Sequence, residues 1–255
     1  FAKVKADGRK ALITFLTVGD PNLEVSEKAI YTMQEEGVDL VELGVPFSDP
    51  AADGPVIQRA DERALAQGVD IFKVFELVRK IRNNVEVPMV FLLYYNVMVQ
   101  YGIEKFFKRC QETGVDGLII PDLPYEESDE IKEYTEKYGV YQISLVSPTS
   151  KDRIKNIAKD AKGFLYCISS LGVTGEKSSF VTNFDEFVGT IKKYTDVPAC
   201  VGFGVSNGRQ VKELTKYFDG AIVGSAIVKS IATGESVEER INNLREKIKD
   251  LKSGL

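Results

Sequence analysis

The chain has 255 residues, 44% of them apolar and 28% charged, with 21 Gly and nine Pro; that composition excludes disordered and fibrous classes and leaves ample chain for a packed core. Lys and Arg total 33 against 38 Asp and Glu, a net charge of -5, so no basic field is present to neutralise a nucleic-acid backbone. Histidine is absent, which excludes Ser-His and Cys-His nucleophile pairs and His-based zinc sites and leaves acid–base work to carboxylates, Lys, Tyr or Cys.

Short apolar runs alternate with amphipathic stretches along the whole chain. The runs Ala11–Thr17, Leu40–Val45, Pro88–Tyr95, Gly117–Asp122, Tyr141–Val146, Gly163–Ser169, Ala199–Phe203 and Ala221–Val223 predict eight strands. Between them the apolar spacing changes to about 3.6 residues, as in Ile103, Phe106, Phe107 and Cys110, in Phe184, Phe187, Val188 and Ile191, and in Val237, Ile241, Leu244, Ile248 and Leu251. Strands that are apolar throughout fit a parallel sheet covered on both faces. Gly37-Val38-Asp39 and Gly114-Val115-Asp116 precede two of the strands as weak repeats, and no linker or low-complexity segment divides the chain. A single (β/α)8 TIM barrel over residues 1–255 is therefore favoured over a doubly wound sheet.

The three cysteines, Cys110, Cys167 and Cys200, are far apart and odd in number; reduced, buried thiols in a cytoplasmic protein are expected, and no metal site is readable. The start lacks a signal-type apolar core, and no apolar run reaches the roughly 18 residues of a membrane span. Phe1 in place of Met suggests that native residues precede it.

In a barrel of this kind the reacting groups lie at the C-terminal strand ends. Glu42 interrupts an apolar strand, so its carboxyl is expected inside the barrel mouth, either satisfied in a polar network or held with a raised pKa. The following loop carries Asp49 and Asp53 among Pro46, Pro50 and Pro55; each Asp alone also fits an ordinary turn former. Gly202-Phe203-Gly204 and Gly224-Ser225 follow the last two strands, and Ser225–Ala232 reads as a helix whose N-terminus suits an anion, the usual phosphate position in barrel enzymes. Leu171–Gly175 offers further backbone donors, and Glu176–Asn183 reads as a lid.

The stretch Glu42-Leu-Gly-Val-Pro-Phe-Ser-Asp-Pro-Ala-Ala-Asp-Gly-Pro55 closely resembles the signature of tryptophan synthase α subunits. Gly19-Asp20-Pro21, Tyr94-Tyr95-Asn96, Pro121-Asp122-Leu123-Pro124, Gly172-Val173-Thr174-Gly175, Gly202-Phe203-Gly204 and Gly224-Ser225-Ala226-Ile227-Val228 match in the same order. The resemblance implies retro-aldol cleavage of indole-3-glycerol phosphate to indole and glyceraldehyde 3-phosphate, in tryptophan biosynthesis. It implies Glu42 as the proton-transfer group, Asp53 at the indole nitrogen, and Tyr166 near Glu42, although Tyr166 also fits plain barrel packing. Phe15, Leu92, Tyr94, Ile119 and Phe203 are the implied indole pocket; Gly175, Gly204, Gly224 and Ser225 the phosphate site; Thr174 the lid residue. It further implies a β-subunit partner in an αββα heterotetramer, met through Asp49 and Asn96, with pyridoxal phosphate in that partner and no cofactor in this chain. Ala51 and Ser170 depart from residues common in the family, in the partner loop and before the lid. A free-standing lyase, a non-catalytic regulatory barrel and a different phosphate-sugar isomerase stay open as alternatives.

Overall fold

The computed structural model describes residues 1–168, 183–202 and 204–255. In chain order these form α1 (Ala2–Ala6), β1 (Ala11–Thr17), α2 (Leu23–Glu35), β2 (Leu40–Gly44), α3 (Pro55–Ala66), α4 (Ile71–Ile81), β3 (Met89–Leu92), α5 (Tyr95–Tyr101), α6 (Ile103–Thr113), β4 (Gly117–Ile119) and α7 (Asp129–Tyr138). There follow β5 (Tyr141–Gln142), β6 (Ser144–Val146), α8 (Lys151–Asp160), β7 (Leu165–Ile168), α9 (Phe184–Lys192), β8 (Ala199–Gly202), α10 (Gly208–Leu214), β9 (Gly220–Val223), α11 (Ser225–Ala232) and α12 (Val237–Lys252).

The strands are parallel throughout and run β5-β4-β3-β2-β1-β9-β8-β7-β6. The two ends of that order, β5 and β6, are consecutive in the chain and separated only by Ile143. Ile143 donates its N–H to the Leu118 carbonyl at 2.8 Å, whereas Ser144 stands opposite Leu165. One segment thus leaves its first neighbour and joins its second, and the sheet closes into a TIM barrel. The fifth expected strand, Tyr141–Val146, is therefore two short ones, because its halves serve different partners.

Other strands end earlier than their apolar runs. Tyr95 was expected in a strand but opens α5, its N–H taken by Asp122 Oδ1 at 2.9 Å, so the run from Pro88 leaves the ladder after Leu92. The run from Gly117 stops at Ile119, and Pro121, just beyond, has no N–H to donate. The predicted helix Ser225–Ala232 is found with those bounds.

Alternation along the strands builds two cores. Leu12, Leu16, Val41, Leu43, Leu165 and Val201 pack outward against the helices; Ile13, Val90, Ile119, Tyr166, Cys200 and Ile222 pack inside the barrel. Glu42 pairs in register with Phe15 on one side and Val90 on the other, so it belongs to the inward set. All three cysteines are buried free thiols. Among the described residues, no helix is long and apolar enough to cross a membrane, and no cluster of acidic residues or Cys is placed to hold a metal.

Candidate active site

The inward residues and the loops after the strands meet in one cleft at the C-terminal end of the barrel, the end at which barrel enzymes carry their sites. Phe15, Glu42, Asp53, Leu92, Ile119, Tyr166, Gly204, Gly224 and Ser225, all singled out from the sequence, border it together. So do Ala52, Ile57, Pro121, Leu145, Val205 and Ile222, which sequence reasoning missed. Period-two alternation was the available signal for Ile222, two residues before Gly224, and the helical face Ile57, Ala60 and Ala64 was the signal for Ile57.

Glu42 is 1% exposed, and its Oε1 has no hydrogen-bond partner among the described residues. Burial in this apolar wall pushes its pKa up to about 8. At neutral pH it is a protonated acid, poised to lose a proton to a group that enters the cleft. That is the state a general acid needs.

Asp53 is 5% exposed and lies just before α3, whose first residue is Pro55. The Tyr94 hydroxyl donates to Asp53 Oδ2 at 2.8 Å and accepts the Ala52 N–H at 2.9 Å. Phe47 stacks on the Tyr94 ring with centroids 4.9 Å apart. Tyr94, expected in the indole pocket, is thus tied to the Asp53 loop and is not among the residues that border the cleft. Burial raises Asp53 to about 6, with the Tyr94 hydrogen bond pulling the other way, so Asp53 is largely ionised at pH 7 while Glu42 is not. Two carboxyls in one cleft are held in opposite protonation states.

Tyr166 is buried on β7, and burial together with the charges of Glu42 and Asp53 raises its hydroxyl well above the usual range. A Cβ on Gly202 of the neighbouring β8 would come within 2.6 Å of that hydroxyl, so only glycine leaves the ring its place. Just beyond β8 Gly204 has φ +93°, a conformation that favours glycine, and after β9 Gly224 caps α11. Ser225, 8% exposed, is the first residue of that helix, where free backbone N–H groups and the helix dipole favour an anion.

Asp49 and Asn96 are exposed and outside the cleft; Asp49 accepts a hydrogen bond from Ser48 Oγ at 2.5 Å. Ser170, Thr174, Gly175, Phe203 and nearly all of the lid stretch lie outside the described residues.

A family model for the tryptophan synthase alpha chain matches residues 1–255. The chain belongs to the tryptophan synthase alpha chain family. It is 47% identical to the tryptophan synthase alpha chain of Thermoanaerobacter sp. (strain X514) over 255 residues, covering 100% of this chain and 97% of the relative. It is 48% identical to that of Methanocaldococcus jannaschii over 233 residues, covering 91% and 83%. A solved Mycobacterium tuberculosis tryptophan synthase chain superposes with a TM-score of 0.90 at 35% identity, covering 99% of this chain and 95% of that one. Membership makes the chain a subunit of an enzyme, the α subunit in the case of tryptophan synthase, and the cleft described above is its candidate active site.

Proposed function

We propose that this member of the tryptophan synthase alpha chain family cleaves indole-3-glycerol phosphate to indole and glyceraldehyde 3-phosphate. The observation that carries the reading is Glu42, a buried protonated carboxyl facing the same cleft as an ionised Asp53 and the N-terminus of α11. Glu42 delivers its proton to indole C3, and positive charge appears on the ring. Asp53 accepts a hydrogen bond from the ring N–H and stabilises that charge. The Glu42 carboxylate then takes the proton of the hydroxyl on the adjacent side-chain carbon. The carbon–carbon bond breaks, its electron pair returns to the ring, and the aldehyde is released. Glu42 ends protonated, as it began, so the cycle consumes no proton. Apolar Phe15, Leu92, Ile119 and Ile222 suit the indole ring, and Tyr166 packs beside Glu42.

Every step is proton transfer or bond cleavage that these two carboxyls can serve, so no cofactor is required of this chain; pyridoxal phosphate is assigned to a β-subunit partner. In an αββα heterotetramer that partner would meet the loop of Asp49 and the exposed Asn96, and the complex would work in the cytoplasm. The test is indole release by the purified chain, alone and titrated with a β subunit. Release should be slow alone and rise roughly 5- to 150-fold on docking, the span of about 1–3 kcal/mol of coupling. Asp49→Ala should reduce that rise and spare the basal rate. No indole with or without partner would overturn the reading; full activity alone, with no co-elution, would remove the partner from it.

The phosphate assignment has its own check. Ser225→Asp sets a fixed negative charge at the N-terminus of α11. It should raise KM for indole-3-glycerol phosphate at least tenfold, an order of magnitude typical of a like charge in a partly buried site. Affinity for free indole should change little. Equal losses for both ligands would reject a phosphate at α11.

A further inference from the structure

Asp61 is a buried carboxyl that the chemistry above leaves unused. It is 5% exposed and lies on the face of α3 that carries Ile57, Ala60 and Ala64, one helical turn beyond the cleft-lining Ile57. The Thr17 hydroxyl faces it from the end of β1 without the geometry of a full hydrogen bond, and is itself buried with no partner among the described residues. The other charges around it are of the same sign: Asp53 before the helix, Asp20 after β1 and Glu62 beside it. Arg63 is committed to Asp20, with Nε and Nη2 at 2.6 and 2.8 Å from its two oxygens. On α11, which packs against α3, Lys229 is exposed. A carboxylate so placed has only the Thr17 hydroxyl, imperfectly aligned, and no cation to offset its burial, and an amide of the same shape would be cheaper to fold.

We propose that Asp61 is a positioning residue for the cleavage proposed above: held as a neutral acid between α3 and the end of β1, it leaves Asp53 as the single anion on that side of the cleft. The order of ionisation supports this. Burial, with the Asp53 charge added, pushes Asp61 to about 8, whereas Asp53 reaches only about 6. Asp53 thus ionises first and Asp61 resists a second charge. Its field also reaches Tyr94, whose hydroxyl holds Asp53 in place. Once the solution is alkaline enough to ionise Asp61, two like charges face each other across the start of α3. In the empty cleft the Asp53 loop is then pushed from its clamp and substrate must draw it back to bind, so the cost falls on KM. A bound substrate finds Asp53 in place and the proton chemistry of Glu42 untouched.

Two measurements test it, the first independent of catalysis. Carboxyl 13C titration of the wild type, Asp61→Asn and Asp53→Asn should show an Asp61 step in the alkaline range, absent from Asp61→Asn. The Asp53 resonance should sense that second step only in the wild type. An Asp61 that titrates below pH 5, or an Asp53 curve indifferent to Asp61→Asn, would overturn the proposal even if the chain proved to have another activity. The second is KM for indole-3-glycerol phosphate at pH 7 and pH 9. It should rise about three- to tenfold in the wild type, as one added like charge near a buried carboxylate predicts, and stay flat in Asp61→Asn. The alkaline fall in kcat, which belongs to Glu42, should remain in both. A KM rise that persists in Asp61→Asn contradicts the proposal. Thr17→Val, which removes the facing hydroxyl and keeps the side-chain shape, should move the Asp61 step further up; no movement would deny their contact.

Discussion

Glu42→Gln is expected to lower indole release by roughly 10²–10⁴-fold, the usual contribution of a positioned proton donor, while the barrel stays folded. The amide keeps the size of the carboxyl and its place between Phe15 and Val90, but it has no proton to give to C3 and cannot accept one from the hydroxyl. The same substitution should make the protein more stable in a defined pH window. The folded-state pKa of Glu42 is raised from 4.5 to about 8, so between those values the unfolded chain is ionised at this position and the folded chain is not. Wild-type stability relative to the variant is then highest below pH 4.5 and falls as pH rises toward 8, by up to about 1.4 kcal/mol per pH unit for one proton. Urea unfolding of both proteins at pH 4.5 and pH 8 reads this directly. A variant that keeps more than a tenth of wild-type turnover, or gains no relative stability at pH 8, would remove Glu42 from the acid role.

Asp53→Asn should be nearly as damaging, at roughly 10²–10³-fold, the scale of losing one group aimed at charge that develops in a transition state. The Asn side chain can still meet the Tyr94 hydroxyl, so the loop clamp and the fold should survive. What is lost is the negative charge opposite the ring nitrogen. The loss should therefore fall on kcat, with KM changed much less, since the neutral ring of the ground state has less need of an anion. A loss confined to KM would mean that Asp53 only shapes the cleft.

The barrel was legible because its strands are apolar on both faces and its helices carry a single stripe. Glu42 stood out because a charge in such a strand has few structural explanations, and Ser225 because a glycine and a helix start follow a strand together. What the chain order could not show was contact between distant segments. The break at Ile143 depends on β4 and β7 claiming opposite halves of one run, and the early end of β3 depends on Asp122, 27 residues after Tyr95. Tyr94 looked like a pocket wall because an aromatic at a strand end usually is one; its clamp on Asp53 and the stacked Phe47 exist only in three dimensions. Asp61 sat in a stretch of charged residues that reads as a solvent face. Its spacing of four from Ile57 was the overlooked sign that it turns inward with the cleft wall.

The protonation states of Glu42 and Asp53 are the centre of the account, and one measurement reaches both: the rate of indole formation in a single turnover, followed from pH 5 to pH 9 at saturating indole-3-glycerol phosphate. Saturation keeps binding effects out of the profile, and a single turnover keeps out product release. The account predicts a bell with an acid limb, where Asp53 gains its proton, and an alkaline limb, where Glu42 loses its own, in the order their pKa values take in the empty cleft. Glu42→Gln should flatten the alkaline limb of its residual rate, and Asp53→Asn the acid limb. A wild-type profile that is level across this range, or limbs that survive both substitutions, would contradict it.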